Sequence, residues 1–431
     1  MTISIKRMSK ALAVAVPAAL VLSLVGPAHA ASESITLLTN NDAKNVATMT
    51  AMVKAFTAAN PNISVTISQR PGGADGDNLV KTKLSTGTME DVFDYNSGSL
   101  FQAINPTKNL LDLSKESWQK NVLSSFTSTV TADGKSYGAP YGSAMAGGML
   151  YNKDVFKKVG ITKVPTTWSA LMADCKIIKK AGIDCIEQTY GDTWTSQLLI
   201  LGDFFNTNAA VPSFAADYTA NKAKFANTPA ASAGFGYLEQ VHKLGYMNRD
   251  YPSAKFTDGL TALGSGKAAI YPMLTFAAGA LDGQFPNANI GFFAQPGPSS
   301  AKNGATIWMP SGLYIPANTK HAAAAKAFVA FFNSSAGIAI QNTNNPPTGP
   351  YLVKGAALPS NLDGIAKDLL TYFKSNGHTA PALEFLSAVK GPNLEKITVQ
   401  VGSGQITAAQ AATAYDQDVK AQAQQLGLAG W

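Results

Sequence analysis

Apolar positions change period several times along the chain, and each change marks an element. Ile35-Thr-Leu-Leu38 is a short apolar run followed by polar Thr39-Asn-Asn-Asp42; Val46, Met49, Met52, Val53 and Phe56 then recur at helical spacing. Asn60-Pro61 ends that helix, and Ile63, Val65 and Ile67 alternate with polar residues as a strand does. Strand, helix, strand is a βαβ unit, whose right-handed crossover makes the two strands parallel neighbours. A second unit follows: a helix over 79–84, a stop at Gly87, a strand over 91–95 and the loop Asn96-Ser97-Gly98 beyond its carboxyl end.

The alternation persists. A strand over 149–151 precedes a short helix over 155–159, and Pro165-Thr-Thr-Trp168 leads into an amphipathic helix over 171–180, with Thr167 as N-cap and Gly182 as stop. Strands over 268–273 and 313–315, an alanine-rich helix over 322–332 and a terminal helix over 408–426 complete a pattern of α/β class, with no short-period repeat and no low-complexity linker.

The segment ahead of these elements has a different character. Lys6, Arg7 and Lys10 precede an apolar run over 11–25, then Pro27 and Ala28-His29-Ala30, the order of a secretory leader cut after Ala30. Its apolar run is short for a membrane span, no later stretch reaches about 18 uninterrupted apolar residues, and no cysteine beside the cleavage site offers an acylated anchor. Export to a periplasm or the medium is the expectation. Without its leader, residues 1–30, the 431-residue chain still exceeds what one hydrophobic core serves, so two domains are expected. The formal charge of +7 loses three basic residues with the leader; the rest are scattered, which argues against a nucleic-acid partner. Cys175 and Cys185 read as a disulfide in an oxidising compartment, with two buried thiols as the competing reading.

Several short motifs occur in a recognisable order. They are Phe56-Thr-Ala-Ala-Asn-Pro-Asn-Ile63-Ser-Val65, Lys83-Leu-Ser-Thr-Gly-Thr-Met-Glu-Asp91-Val-Phe93, Tyr137-Gly-Ala-Pro-Tyr141, Leu150-Tyr-Asn-Lys-Asp-Val-Phe156 with Pro165-Thr-Thr-Trp168, Gly266-Lys-Ala-Ala-Ile270 and Gly312-Leu-Tyr-Ile-Pro-Ala-Asn318. Together they resemble the family 1 extracellular solute-binding proteins of ABC importers, the group that includes the maltose-binding type; Met89-Glu90 departs from the commoner small-Pro pair. The resemblance implies a two-lobed periplasmic-binding-protein fold of type II-like character. Each lobe is then a mainly parallel sheet flanked by helices, with the ligand cleft between lobes. It implies an amino-terminal lobe of 31–143 plus 314–342 and a carboxy-terminal lobe of 144–313 plus 343–431. Chain crossings are expected near 141–148, near 305–313 and a little after Phe332. It further implies a monomeric extracytoplasmic subunit that hands a small molecule, a sugar or oligosaccharide, to membrane permease subunits.

A sugar presents hydroxyls at its edge and C–H patches on its faces, so its site needs planar polar side chains and an aromatic platform. Strand ends supply Asn40, Asn41, Asp42, Asn96 and Ser97, and the Gly72–Gly76 loop, expected to be flexible, adds Asp75. Such residues are also ordinary turn formers and helix caps. By the resemblance, Trp308 stands at a crossing, Phe276 stands where relatives carry a stacking Trp, and Tyr190, Asp192 and Trp194 form the second lobe's wall. Rings fill cores as readily as they contact ligands, and Trp168 is assigned to structure. Tyr141 and Ser143 lie in the first crossing. Lys44 and Arg70 are the countercharges available to a charged solute.

Signatures of catalysis are sparse. No G-x-S-x-G elbow occurs. Gly264-Ser-Gly-Lys267 lacks the following Ser or Thr and the first glycine of a phosphate loop, and His242, His321 and His378 are too dispersed to suggest a metal or cofactor site. A secreted glycosidase is the enzymatic rival, with Glu187, Asp192 and Asp203 as its nameable carboxyls. A binder of a non-sugar solute (polyol or phosphate ester) and a free-standing carbohydrate-recognition module are the non-enzymatic rivals.

Overall fold

The computed structural model describes residues 33–374 and 377–431; the leader and its expected cleavage site lie outside them. The first sheet begins with β1 (Glu33–Asn40), β2 (Ile63–Arg70) and β3 (Val92–Tyr95). β1 is an inner strand, paired in parallel with β2 on one side and β3 on the other, because Ile35, Leu37 and Leu38 are too apolar for an edge. The intervening helix Ala43–Ala59 buries Met49, Met52 and Phe56. Phe56 meets Phe328 edge-on with centroids 5.2 Å apart, which fixes helix Ala322–Phe332 to this lobe. The next helix runs over Gly73–Thr86 and ends at Gly87 in left-handed conformation. It starts six residues before the expected 79, so the Gly72–Gly76 segment is mostly its first turn.

From β4 (Gly138–Tyr141) the chain passes through residues 142–144 into β5 (Met145–Asn152), the hub of the second sheet. Around it lie β6 (Asp184–Ile186), β7 (Ala268–Leu274), β8 (Ile290–Ala294), β9 (Ala305–Trp308) and β11 (Thr379–Pro381). One edge of β5 carries β7, while the other is shared end to end by β9 and β8. Met309-Pro310 then returns the chain to β10 (Ser311–Tyr314), which inserts between β3 and β4 of the first sheet. A third passage follows helix Ser335–Asn344 and leads to helix Gly364–Phe373, which packs on β8 through Tyr372 and Phe292.

Strand direction follows one rule in both sheets. In the first sheet β10 alone runs against its neighbours, and in the second β5 alone does so. Each is the strand delivered by a short crossing from the other lobe. The remaining strands share one direction within each sheet, in keeping with the mainly parallel expectation. The second core gathers Leu171, Ile178, Phe235, Val401 and Tyr415 around the long helices. Cys175, on helix Trp168–Lys180, is joined to Cys185 on β6, with Cα atoms 5.2 Å apart. Among the described residues no single helix is long and apolar enough to cross a membrane.

Two carboxyls sit deep in the second lobe. Asp203 is 2% exposed; its Oδ1 accepts from Asn206 Nδ2 (2.7 Å), while Oδ2 and the neighbouring Gln295 Oε1 have no partner. Burial pushes its pKa up to about 8, against weaker stabilisation of the anion by Asn206 and Gln295. A protonated Asp203 has the O–H that Gln295 Oε1 lacks as a donor. Glu187 is likewise pushed up to about 8, first by burial and then by Asp250 and Asp184.

Two expectations follow. Between its ordinary value near 3.8 and about 8, folded Asp203 holds a proton that the unfolded chain has released. Stability therefore falls as pH rises through that window and levels off above it. Asp203→Asn, which supplies the missing donor at every pH, should flatten part of that slope and raise stability at pH 8.5 by on the order of 1 kcal/mol in urea unfolding. Separately, Cys175→Ala with Cys185→Ala opens a short loop and should cost about 2 kcal/mol in the same measurement.

Candidate functional site

The floor of the cleft is built from strand carboxyl ends. Asp94, near the end of β3, accepts from Thr39 Oγ1 at 2.5 Å and Asn40 N at 3.2 Å through Oδ2, and from the Arg70 guanidinium at 2.8 Å through Oδ1. Arg70, the last residue of β2, also donates to the Asp94 and Pro71 carbonyls. The pair is 6% and 2% exposed, so it ties the ends of β1, β2 and β3 into one rigid edge. Just beyond β1, Asn40 Oδ1 accepts from Asp42 N (2.7 Å), and Asp42 Oδ1 caps helix Ala43–Ala59 by accepting from Lys44 N and Asn45 N. Asn40 and Asp42 thus form the local turn and also line the cleft.

A cavity of about 930 Å³ runs between the lobes. Across from the strand ends stand three half-buried rings, Trp194, Phe256 and Phe276, with centroids 5.5–6.2 Å apart. Asp192 Oδ2 accepts from Phe256 N at 2.8 Å, which anchors the start of helix Phe256–Gly264 and thereby holds the Phe256 ring in the wall. The first lobe reaches this wall at Gly73. Its φ is +65°, and a Cβ there would lie 3.4 Å from Trp194 Cδ1, so a side chain at that position would be both strained and in contact. Trp308 closes the hinge end by lying over Gly147, where a Cβ would come within 2.5 Å of the indole.

From the first lobe, Asn40, Asn41, Asp42, Asp75, Asn96 and Tyr141 line this cavity; from the second, Asp192, Trp194, Phe276 and Trp308 do so. Ser97 and Ser143 line a smaller chamber of about 270 Å³ at the hinge. Two of the polar groups are already engaged: Ser97 Oγ donates to Pro310 O at 2.9 Å and Tyr141 OH to Asn45 Oδ1 at 3.1 Å. Burial holds the Tyr141 phenol well above its ordinary value. Tyr190 lines neither space. It is 4% exposed, its ring meets Tyr251 edge-on and its hydroxyl abuts Gly402, so it serves the second lobe's interior. It stands in a loop, where the direction of a side chain is not readable from spacing.

Phe256, Gln197, Asn345 and the Lys390–Glu384 ion pair (3.1 Å) also line these spaces and were not singled out by sequence. Phe256 opens an amphipathic helix, where a ring ordinarily packs inward, and Asn345-Pro346-Pro347 has only the composition of a turn. Of the three carboxyls named for a glycosidase, only Asp192 reaches the cavity. Among the described residues no cluster of His, Cys, Asp and Glu has the makings of a metal site.

Residues 40–339 match the family model described as bacterial extracellular solute-binding protein. The multiple sugar-binding protein of Streptococcus mutans is 26% identical over 329 residues, which cover 73% of this chain and 74% of that protein. An uncharacterized ABC transporter extracellular-binding protein of Pyrococcus horikoshii is 24% identical over 349 residues, 76% of this chain and 73% of that one. Among solved structures, a chitin oligosaccharide binding protein superposes with a TM-score of 0.80 at 22% identity, covering 91% of this chain and 99% of the other. The solute-binding protein RafE in complex with raffinose gives 0.74 at 21% identity, over 90% and 99%. At these identities the structural likeness is one of fold, and the fold is the two-lobed one with a cleft. The family match spans most of the chain, from the end of β1 into helix Ser335–Asn344, and the chain belongs to the bacterial extracellular solute-binding proteins.

Proposed function

We propose that this chain is the extracytoplasmic capture subunit of an ABC importer and that it binds a sugar or oligosaccharide by closing its lobes around it. The observation that carries the reading is the two-sided cavity: hydrogen-bonding side chains at the strand ends of one lobe face the rings Trp194, Phe256 and Phe276 of the other. A pyranose matches both sides, with hydroxyls for the first and C–H faces for the second. The names of the relatives, a multiple sugar-binding protein and binders of chitin oligosaccharide and raffinose, agree with this choice. A phosphate ester fits less well: Arg70 and Lys390 are already paired with Asp94 and Glu384, and the remaining lining lysines, Lys44 and Lys81, share the cavity with Asp42, Asp75, Asp77 and Asp192.

In this reading the lobes are 31–143 plus 314–342 and 144–313 plus 343–431. The division is supported by the membership of the two sheets, with the returning strand beginning at Ser311. Ligand favours the closed arrangement because only that arrangement lets both walls touch it, so binding shifts the open–closed equilibrium. The closed, monomeric form then docks on membrane permease subunits, where ATP is spent; the chain itself carries out no chemistry, uses no cofactor and binds no nucleic acid. It works outside the cytoplasm, a reading supported by the pairing of Cys175 with Cys185.

Thermal melting of the exported chain against mono- and oligosaccharides, polyols and amino acids tests this. A ligand at 100 times its Kd should stabilise by about 2.7 kcal/mol and raise Tm by several degrees. The sugar should be recovered unchanged; its cleavage would favour the glycosidase, and shifts with polyols alone would replace the sugar. Trp194→Ala should then weaken binding about tenfold while leaving the unliganded Tm within a few degrees, because its ring is half-buried.

A further inference from the structure

The smaller chamber is continuous in its lining with the large cavity, sharing Asn40, Tyr141, Phe276 and Trp308 with it. All three chain passages wall it: Ser143 and Met145 from the first, Met309 from the second, Asn345 and Thr348 from the third. Its walls are held by hydrogen bonds between passages. Gly142 N donates to Gln341 Oε1 (3.0 Å), Ala144 N to Pro350 O (2.9 Å) and Ala146 N to Thr275 Oγ1 (3.1 Å), and Thr275 Oγ1 pairs in turn with Thr348 Oγ1 (3.0 Å). The chamber is therefore preformed.

Two polar groups on the passages themselves face the chamber. Ser143 is only 9% exposed, and its hydroxyl has no partner among the described residues; the Asn345 amide, also in the chamber wall, has none either. Neither group is sealed from water, so each is open to a ligand hydroxyl that takes the place of its water partner. Size points the same way. Small-molecule pockets span roughly 300–1,000 Å³, so a chamber of about 270 Å³ admits one ring-sized group, while the cavity of about 930 Å³ has room for several.

We propose that the hinge chamber is an end-reading subsite. The terminal ring of an oligosaccharide enters it, Ser143 Oγ and the Asn345 amide hydrogen-bond the hydroxyls of that ring, and the following rings lie along Trp194, Phe256 and Phe276. Chain length is then tolerated toward the outer cavity, whereas the identity of the terminal ring is not. This inference rests on the sugar reading above and adds which part of the molecule is selected.

The test is calorimetric titration of the exported chain and its variants with raffinose against stachyose, chitobiose against chitotetraose, and maltose against maltotetraose. Ser143→Ala and Asn345→Ala should each weaken the short and long member of whichever pair binds by the same factor, about three- to tenfold, the worth of one lost hydrogen bond. Phe256→Ala should weaken the long member more than the short. Inner variants that bind within twofold of the unsubstituted chain would overturn the subsite, and a loss confined to the long members would overturn end reading. Melting of the unliganded variants reports whether each is folded, and the two inner substitutions check one another. If the unsubstituted chain binds none of the six, the sugar reading itself fails, an outcome distinct from failure of the subsite.

Discussion

Both sheets direct the carboxyl ends of their strands at the same cleft, and the rest of the architecture answers to that constraint. A chain that leaves the end of β4 and enters the other sheet after only three intervening residues arrives from the cleft side. It must therefore run against a sheet whose other strands point toward the cleft. The same holds for β10 on its return through Met309-Pro310. The one reversed strand in each sheet is thus a consequence of a short crossing. Two of the three passages that join the lobes run directly between strands of the two sheets, so a hinge motion there rotates about paired strands and not about loose linkers.

The cleft floor shows why strand ends suit recognition. Parallel strands finish with backbone groups that no neighbour completes; Asp94 takes up one of them, Asn40 N, together with the Thr39 hydroxyl and the Arg70 guanidinium. A buried ion pair of this kind is a weak source of net stability, since the cost of removing both charges from water offsets most of their attraction. Its effect is geometric: it sets β1, β2 and β3 in fixed register at the point where Asn40 and Asp42 must face the cavity. Removing either partner would strand a charge, so the site's geometry and the lobe's stability are linked through one contact.

Much of this was legible in the chain. The period of apolar positions locates β1, β2 and the helices between them, and polar runs after strands identify Asn40, Asp42 and Asn96. Those features follow from local chemistry, which spacing encodes. The Gly72–Gly76 segment was not legible as a helical turn, since its glycines argue for a loop and only its packing beneath Trp194 and over Arg70 holds it. Nor was the direction of Tyr190, which follows Thr189, whose hydroxyl pairs with Tyr271 in the interior. Phe256 and Asn345 escaped for the same reason: each reaches the cavity through the meeting of segments far apart in sequence.

The division of labour between the walls bears on selectivity. A solute with only polar edges satisfies the strand ends of the first lobe but leaves Trp194, Phe256 and Phe276 facing groups that gain nothing by leaving water. On the proposed reading, a purely apolar solute covers the rings but desolvates the remaining polar atoms of Asn40, Asp42 and Asn96 on closure without pairing them. Neither stabilises the closed arrangement over the open one, however well it adheres to a single wall, because only a difference in affinity between the two states moves their populations. Closure is therefore favoured by solutes amphipathic about a ring plane, and the selection is made by the lobes meeting and not by either lobe alone.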